Sequence, residues 1–111
     1  MEDYIQVFTT TETKNDAHRI ARTIVEKRLA ACGQIIGPIT SIYWWKGKIE
    51  TAEEWICVLK SSMQLYEELE TAVREIHSYD VPEILAVPIT AGSQSYLDWL
   101  SKELKRNRNE E

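Results

Sequence analysis

Hydrophobic and polar positions change their period several times along this chain. Tyr4–Thr10 (Tyr-Ile-Gln-Val-Phe-Thr-Thr) is β-branched and aromatic, and predicts a first strand. From Ala17 the period lengthens. Ala17, Ile20, Ala21, Ile24 and Val25 recur at helical spacing, Leu29 closes the stripe, and Glu26, Lys27 and Arg28 lie off it. Thr13 and Asp16 mark the helix start, the hydroxyl as a cap and the carboxylate near the positive end of the dipole. Gly33, after Ala30-Ala31-Cys32, is placed to end that helix. Gln34-Ile35-Ile36 predicts a short strand, with a kink or bulge at Gly37-Pro38.

The pattern then turns β-rich for a long stretch, Ile39–Lys60. Two arms flank the turn Lys46-Gly47-Lys48, where Gly47 can take the positive φ of a tight turn. At about eleven residues each and ~3.3 Å per residue, the arms reach roughly 36 Å. A compact domain of this size has a diameter of about 34 Å, so the hairpin is as long as the domain. Trp44 and Trp45 are consecutive and point to opposite faces of their strand. One indole can reach the chain's own core; the other needs different cover, either neighbouring side chains or a second subunit. Burying it fully contributes at most about 5 kcal/mol at ~25 cal/mol/Å². A second subunit is the expected cover, with Trp44 and Trp45 as interface residues.

Ser61-Ser62 opens a second helix from about Met63 to His77, with a stripe of Leu65, Leu69, Ala72, Val73 and Ile76 and a solvated face of Glu67, Glu68, Glu70 and Glu75. Val81 is driven extended by Pro82, so Ser78–Pro82 reads as a turn. Glu83–Thr90 predicts another strand. Its Pro88, lacking an amide donor, demands an edge or a bulge. Tyr96, Leu97, Leu100 and Leu104 mark a short third helix with Trp99 beside the stripe, and Lys105–Glu111 has nothing to bury. The expectation is one domain over residues 1–104 and a flexible tail over 105–111. The order strand, helix, strand, strand, helix, strand, helix predicts an α+β ferredoxin-like sandwich. Its antiparallel sheet would carry helices on one face, a long central hairpin and an extra C-terminal helix.

Composition narrows the partners. The chain of 111 residues is 43 % hydrophobic and 28 % charged, ordinary for a globular domain. Its formal net charge of −5 argues against nucleic acid or an anionic membrane as partner. No apolar run reaches the ~18 residues of a membrane span. Met1-Glu2-Asp3 is acidic with no apolar signal region, and only two cysteines, Cys32 and Cys57, occur. Reduced, buried thiols in a cytoplasmic protein are expected.

Four motifs carry a family resemblance. Leu29-Ala30-Ala31-Cys32, the hairpin Ile39–Ile49, His77-Ser78-Tyr79-Asp80-Val81-Pro82-Glu83-Ile84 and Tyr96-Leu97-Asp98-Trp99 resemble, in this order, signatures of the CutA family of divalent-cation tolerance proteins. Ser78 replaces the proline usual in the third motif. The resemblance spans roughly residues 4–104. It implies a ferredoxin-like protomer in a homotrimer whose long hairpins extend sheets between neighbours, a role in the response to divalent metal, and no enzymatic activity. In some family members copper ligation is attributed to a cysteine in the first strand and two consecutive histidines. By position these fall on Thr9, Ile76 and His77, so His77 alone remains as a metal ligand. The same histidine suits a helix C-terminus, where the dipole favours it. No cofactor is obligatory on this reading; copper or another divalent cation would bind weakly.

Other chemistry is sparse. Neither His18 nor His77 has a second ligand at tight spacing. Glu50, Glu53 and Glu54 on the hairpin's return arm attract hard cations weakly or simply solvate an edge. There is no nucleophile elbow and no phosphate-cradling glycine loop. Tyr43, Trp45, Lys60, Tyr79, Glu83, Tyr96 and Trp99 fall in or beside the family-like motifs and are expected to line a cleft where protomers meet. Aromatic walls with one cation and one carboxylate suit a small ligand. Plain interface packing is the alternative. A rival reading follows: a regulatory sensor of a small metabolite or anion, resembling the trimeric nitrogen-regulatory signal proteins.

Overall fold

The computed structural model describes residues 3–106. In chain order the elements are β1 (Tyr4–Thr11), α1 (Lys14–Glu26), β2 (Cys32–Trp45), β3 (Lys48–Ser62), a 3₁₀ turn (Met63–Leu65), α2 (Tyr66–Ile76), β4 (Ile84–Pro88) and α3 (Gln94–Glu103). The four strands form one antiparallel sheet in the order β2-β3-β1-β4. That is the ferredoxin-like arrangement. Alternation sends Ile5, Val7 and Thr9 of β1 and Cys57, Leu59 and Ser61 of β3 to the face beneath the helices. There they meet Ile20 and Ile24 of α1 and Leu69 and Val73 of α2. Leu100 of α3 and Leu104 join the same core. Among the described residues no helix is long and apolar enough to cross a membrane.

Helix α1 starts as expected, with the Thr13 hydroxyl accepting from the Asp16 amide at 3.0 Å. Its end is a correction: it stops at Glu26, not beside Gly33. Arg28 takes φ +58°, its amide donates to the Val25 carbonyl, and the Leu29 amide donates to the Ile24 carbonyl. This is a Schellman cap, sealed by contact between buried Leu29 and the last turn. Arginine occupies the left-handed position because other contacts hold it there: Nη1 donates to the Glu103 carbonyl at 3.0 Å and pairs with its carboxylate at 3.1 Å. Gly33 serves β2 instead. A Cβ there would lie 2.9 Å from the Ala21 Cβ, so its absence lets the strand approach α1.

The hairpin runs unbroken from Cys32 to Ser62, with strands of 14 and 15 residues, longer than the expected arms. The bulge lies where Gly37-Pro38 predicted it. Ile36 pairs with Ile56 but Ile39 with Glu54, one extra residue on β2. Gly37 sits beneath the Trp55 ring, which a Cβ would strike at 2.4 Å. At the tip, Lys46 (φ 51°) and Gly47 (φ 79°) form a two-residue turn of type I′ between Trp45 and Lys48. The hairpin overshoots the helices, so the molecule measures 48 × 27 × 24 Å with a radius of gyration of 14.8 Å, above the ~13 Å of a compact chain this long. Strand β4 is shorter than expected, and Pro88 lies on the sheet's edge because β4 pairs with β1 alone. Of the tail expected over 105–111, residues 107–111 lie outside the described residues. Lys105 is held, its amide donating to the Arg28 carbonyl and its Nζ 2.8 Å from Glu68.

Candidate functional site

The expected cleft residues fall into four places in one protomer. At one end of the sheet, Lys60 Nζ lies 3.3 Å from Tyr96 Oη and 5.3 Å from the centre of the Tyr96 ring. Tyr96 and Trp99 are neighbours one turn-fraction apart on α3, with ring centres 5.4 Å apart. At the other end, Tyr79 Oη donates to Glu54 Oε2 at 2.7 Å. Burial, and then the carboxylate it donates to, push the Tyr79 phenol well above its ordinary range. Tyr43 pairs with Glu50 and Trp45 with Lys48 on the hairpin. Lys48 is twelve positions from Lys60 on the same strand, so Trp45 and Lys60 stand about 40 Å apart at ~3.3 Å per residue. Glu83 is exposed at the start of β4. One protomer therefore gathers Lys60, Tyr96 and Trp99 and keeps Tyr43, Trp45, Tyr79 and Glu83 away from them.

His77 follows the last residue of α2 and turns back onto β1. Its Nε2 lies 3.0 Å from both the Thr10 carbonyl and Thr9 Oγ1, and its Nδ1 accepts from the Tyr79 amide at 3.0 Å. A carbonyl only accepts and an amide only donates, so the ring is the neutral Nε2–H tautomer. Burial is the main force lowering its pKa, against the Thr10 carbonyl, which favours the cation. Asp16 and Glu54 act with the carbonyl, and Arg19, whose Nη1 donates to the Ile76 carbonyl, acts with burial. Both nitrogens are engaged by the protein. Thr9 is a hydroxyl already in contact with the ring, and Ile76 carries no donor. Among the described residues no group of three or more His, Cys, Asp or Glu side chains is gathered to hold an ion. The residues of one protomer do not fit a tight soft-metal centre.

Sequence reasoning missed the partners of these groups. Glu54 showed only as one of three carboxylates on an arm, and nothing local pairs it with Tyr79, 25 residues away. Gln6 lies opposite Lys60 in the register of β1 and β3, which no sequence signal gave.

The trailing edge of the hairpin is apolar beyond the reach of the helices. Trp44 pairs with Ile49 and lies beside Ile42 on one face, exposed to 72 %, 61 % and 69 %. Tyr43 and Trp45 share the other face, and the indoles point to opposite sides as their adjacency requires. On the sheet face opposite α1 and α2, Ile36, Leu85 and Val87 are also exposed.

A four-stranded ferredoxin-like sheet with an overlong hairpin and a C-terminal helix defines an α+β protein of known relatives. The family model described as CutA1 divalent ion tolerance protein matches residues 5–103, and the chain belongs to that family. It is 38 % identical over 103 residues to "Protein CutA 1, chloroplastic" of Oryza sativa, covering 93 % of this chain and 58 % of that protein. The chain thus spans little more than half of that plant relative. It is 38 % identical over 99 residues to the divalent-cation tolerance protein CutA of Archaeoglobus fulgidus, covering 89 % of this chain and 96 % of that one. The crystal structure of CutA1 from Oryza sativa superposes with a TM-score of 0.92 at 37 % identity, over 95 % of this chain and 96 % of that one.

Proposed function

We propose that this chain is a homotrimeric, non-catalytic protein of divalent-cation tolerance that holds no tightly bound metal of its own. The observation that carries the assembly is the hairpin. Ile42, Trp44 and Ile49 form an apolar strip that none of the described residues covers, on a strand pair whose outer edge, β2, no described strand pairs. Exposed apolar strips and free edges together are what soluble proteins remove by association. A closed threefold ring covers strips and edges at once and stops growth. The link to divalent cations comes from family membership. A non-catalytic role is supported by the state of the nucleophiles. Burial pushes the Cys57 thiol up to about 12, and the hydroxyl that meets His77, Thr9 Oγ1, faces the protonated Nε2, which cannot take its proton. Two free cysteines favour the cytoplasm, though the rice relative is named chloroplastic.

Copper reaches His77 only by displacing the Tyr79 amide from Nδ1 or the Thr9 and Thr10 oxygens from Nε2, so its binding should be weak. Calorimetric titration with copper and zinc tests this. Micromolar or weaker binding, reduced by His77→Ala, is expected; a sub-nanomolar copper site indifferent to His77→Ala contradicts it. The small-ligand reading draws on one observation, a lysine that meets an aromatic hydroxyl and no described carboxylate.

A further inference from the structure

Lys60 is unusual among the described basic residues near the sheet. It lies half-buried on a central strand, and no described carboxylate pairs with it. Its ammonium is held in place by Tyr96, through the hydroxyl at 3.3 Å and the ring at 5.3 Å. Beside it opens a cavity of about 360 Å³. Gln6 and Thr90 supply an amide and a hydroxyl to its wall, and Ile89 and Leu97 supply apolar surface. Gln6 is directly opposite Lys60 in register, so both side chains leave the same face of the sheet about 5 Å apart. The backbone beneath them is fixed by ladders on both sides of β1 and β3. On the loop side, Gly92 is packed by Leu97, whose side chain a Cβ would meet at 3.3 Å. The floor of the cavity is therefore set by the sheet.

Such a set recognises one charge and one apolar body. A phosphate dianion is ordinarily held by several cations or a guanidinium fork, which this cavity lacks. A single ammonium with an amide and a hydroxyl suits a carboxylate. The volume is at the small end of the roughly 300–1,000 Å³ of ligand pockets. We propose that the cavity binds a small organic carboxylate, its charged end on Lys60 and Gln6 and its apolar body against Ile89 and Leu97. The inference takes up the small-ligand reading but moves it from a cleft between subunits to residues of one protomer, so it needs neither a trimer nor a metal.

The probe is phenylacetate, with the neutral 2-phenylethanol and inorganic phosphate as comparisons, added to the 111-residue chain in EDTA. Amide chemical shifts are read by two-dimensional NMR. Phenylacetate should bind in the millimolar range, as expected for about ten heavy atoms. It should shift the amides of Gln6, Lys60, Thr90–Gly92 and Leu97 while leaving the hairpin tip at Lys46 and Gly47 unmoved. Lys60→Met should weaken it at least about tenfold, the effect of losing one charge-assisted hydrogen bond, and Lys60→Arg should retain most of it. Equal binding of 2-phenylethanol, tighter binding of phosphate, or unchanged affinity in Lys60→Met would overturn the proposal. So would shifts confined to Tyr43, Trp45 and Tyr79, which would instead place the ligand between subunits.

Discussion

Two residues show how single positions in this fold are held by opposing demands. Arg28 accepts a left-handed backbone, which costs a non-glycine residue about 1–2 kcal/mol, because its guanidinium and carbonyl tie α1 to Glu103 and Lys105. Arg28→Ala keeps the strain and loses the side-chain ties, so it should destabilise by about 1–2 kcal/mol. Arg28→Gly removes the strain as well and should cost less. Denaturant midpoints of the two variants at equal protein concentration test that order. His77 is the second case. Its folded pKa lies below the unfolded value of 6.5, chiefly through burial, so the fold prefers the neutral ring. Between the folded and unfolded pKa values the unfolded chain binds more protons. The contribution of His77 is therefore complete above pH 6.5 and is lost as pH falls from there through the folded pKa. Thermal midpoints measured down through this window should fall, and His77→Gln should flatten the slope. A slope unchanged by His77→Gln would show that other groups set it. Of these two residues the sequence revealed only half. The helical stripe predicted that α1 passes near Leu29, but the glycine rule chose Gly33 as its end. The true end is made by Arg28, whose partners at Glu103 and Lys105 come from the far end of the chain.

At the scale of elements, the hairpin was legible because its signals are local. Gly47 at the turn, Gly37-Pro38 at the bulge and β-branched arms all act on near neighbours, and register followed from them. Its length was underestimated because Gln34-Ile35-Ile36 read as a separate short strand, Cys32 and Gly33 as the end of the first helix and Ser61-Ser62 as the start of the second, whereas one ladder runs through the bulge. The bulge itself depends on Gly37. Any Cβ there meets Trp55 at 2.4 Å, and the indole must move off the core edge. Gly37→Ala should cost about 1–3 kcal/mol, the range for overpacking, read from denaturant midpoints at equal protein concentration. Stability within 0.5 kcal/mol of the parent, roughly the scale of a neutral surface change, would contradict that packing. The site divided for the opposite reason. Lys60, Tyr96 and Trp99 come together because α3 crosses the end of β3, while Tyr43 and Trp45 lie far out on the hairpin and Tyr79 and Glu83 lie in the connection between α2 and β4. Motif proximity in sequence does not say which of these residues share a space.

At the scale of the molecule, a small domain carries a hairpin that extends it to 48 Å in one direction and leaves Ile42, Trp44, Trp45 and Ile49 in solvent. Each of these side chains is worth roughly 1.5–3 kcal/mol on full burial, so three copies closing together release far more than a lone surface residue would. In the proposed trimer folding and association are one equilibrium, so stability should rise with protein concentration. Trp45→Ala should weaken assembly more than a surface truncation does, because the loss repeats at every interface of the ring. The most direct measurement is sedimentation equilibrium of this 111-residue chain at micromolar concentration. A single species of three times the 12.9 kDa chain mass is predicted, shifting toward smaller species in Trp45→Ala. A stable, well-folded monomer of 12.9 kDa would contradict the account.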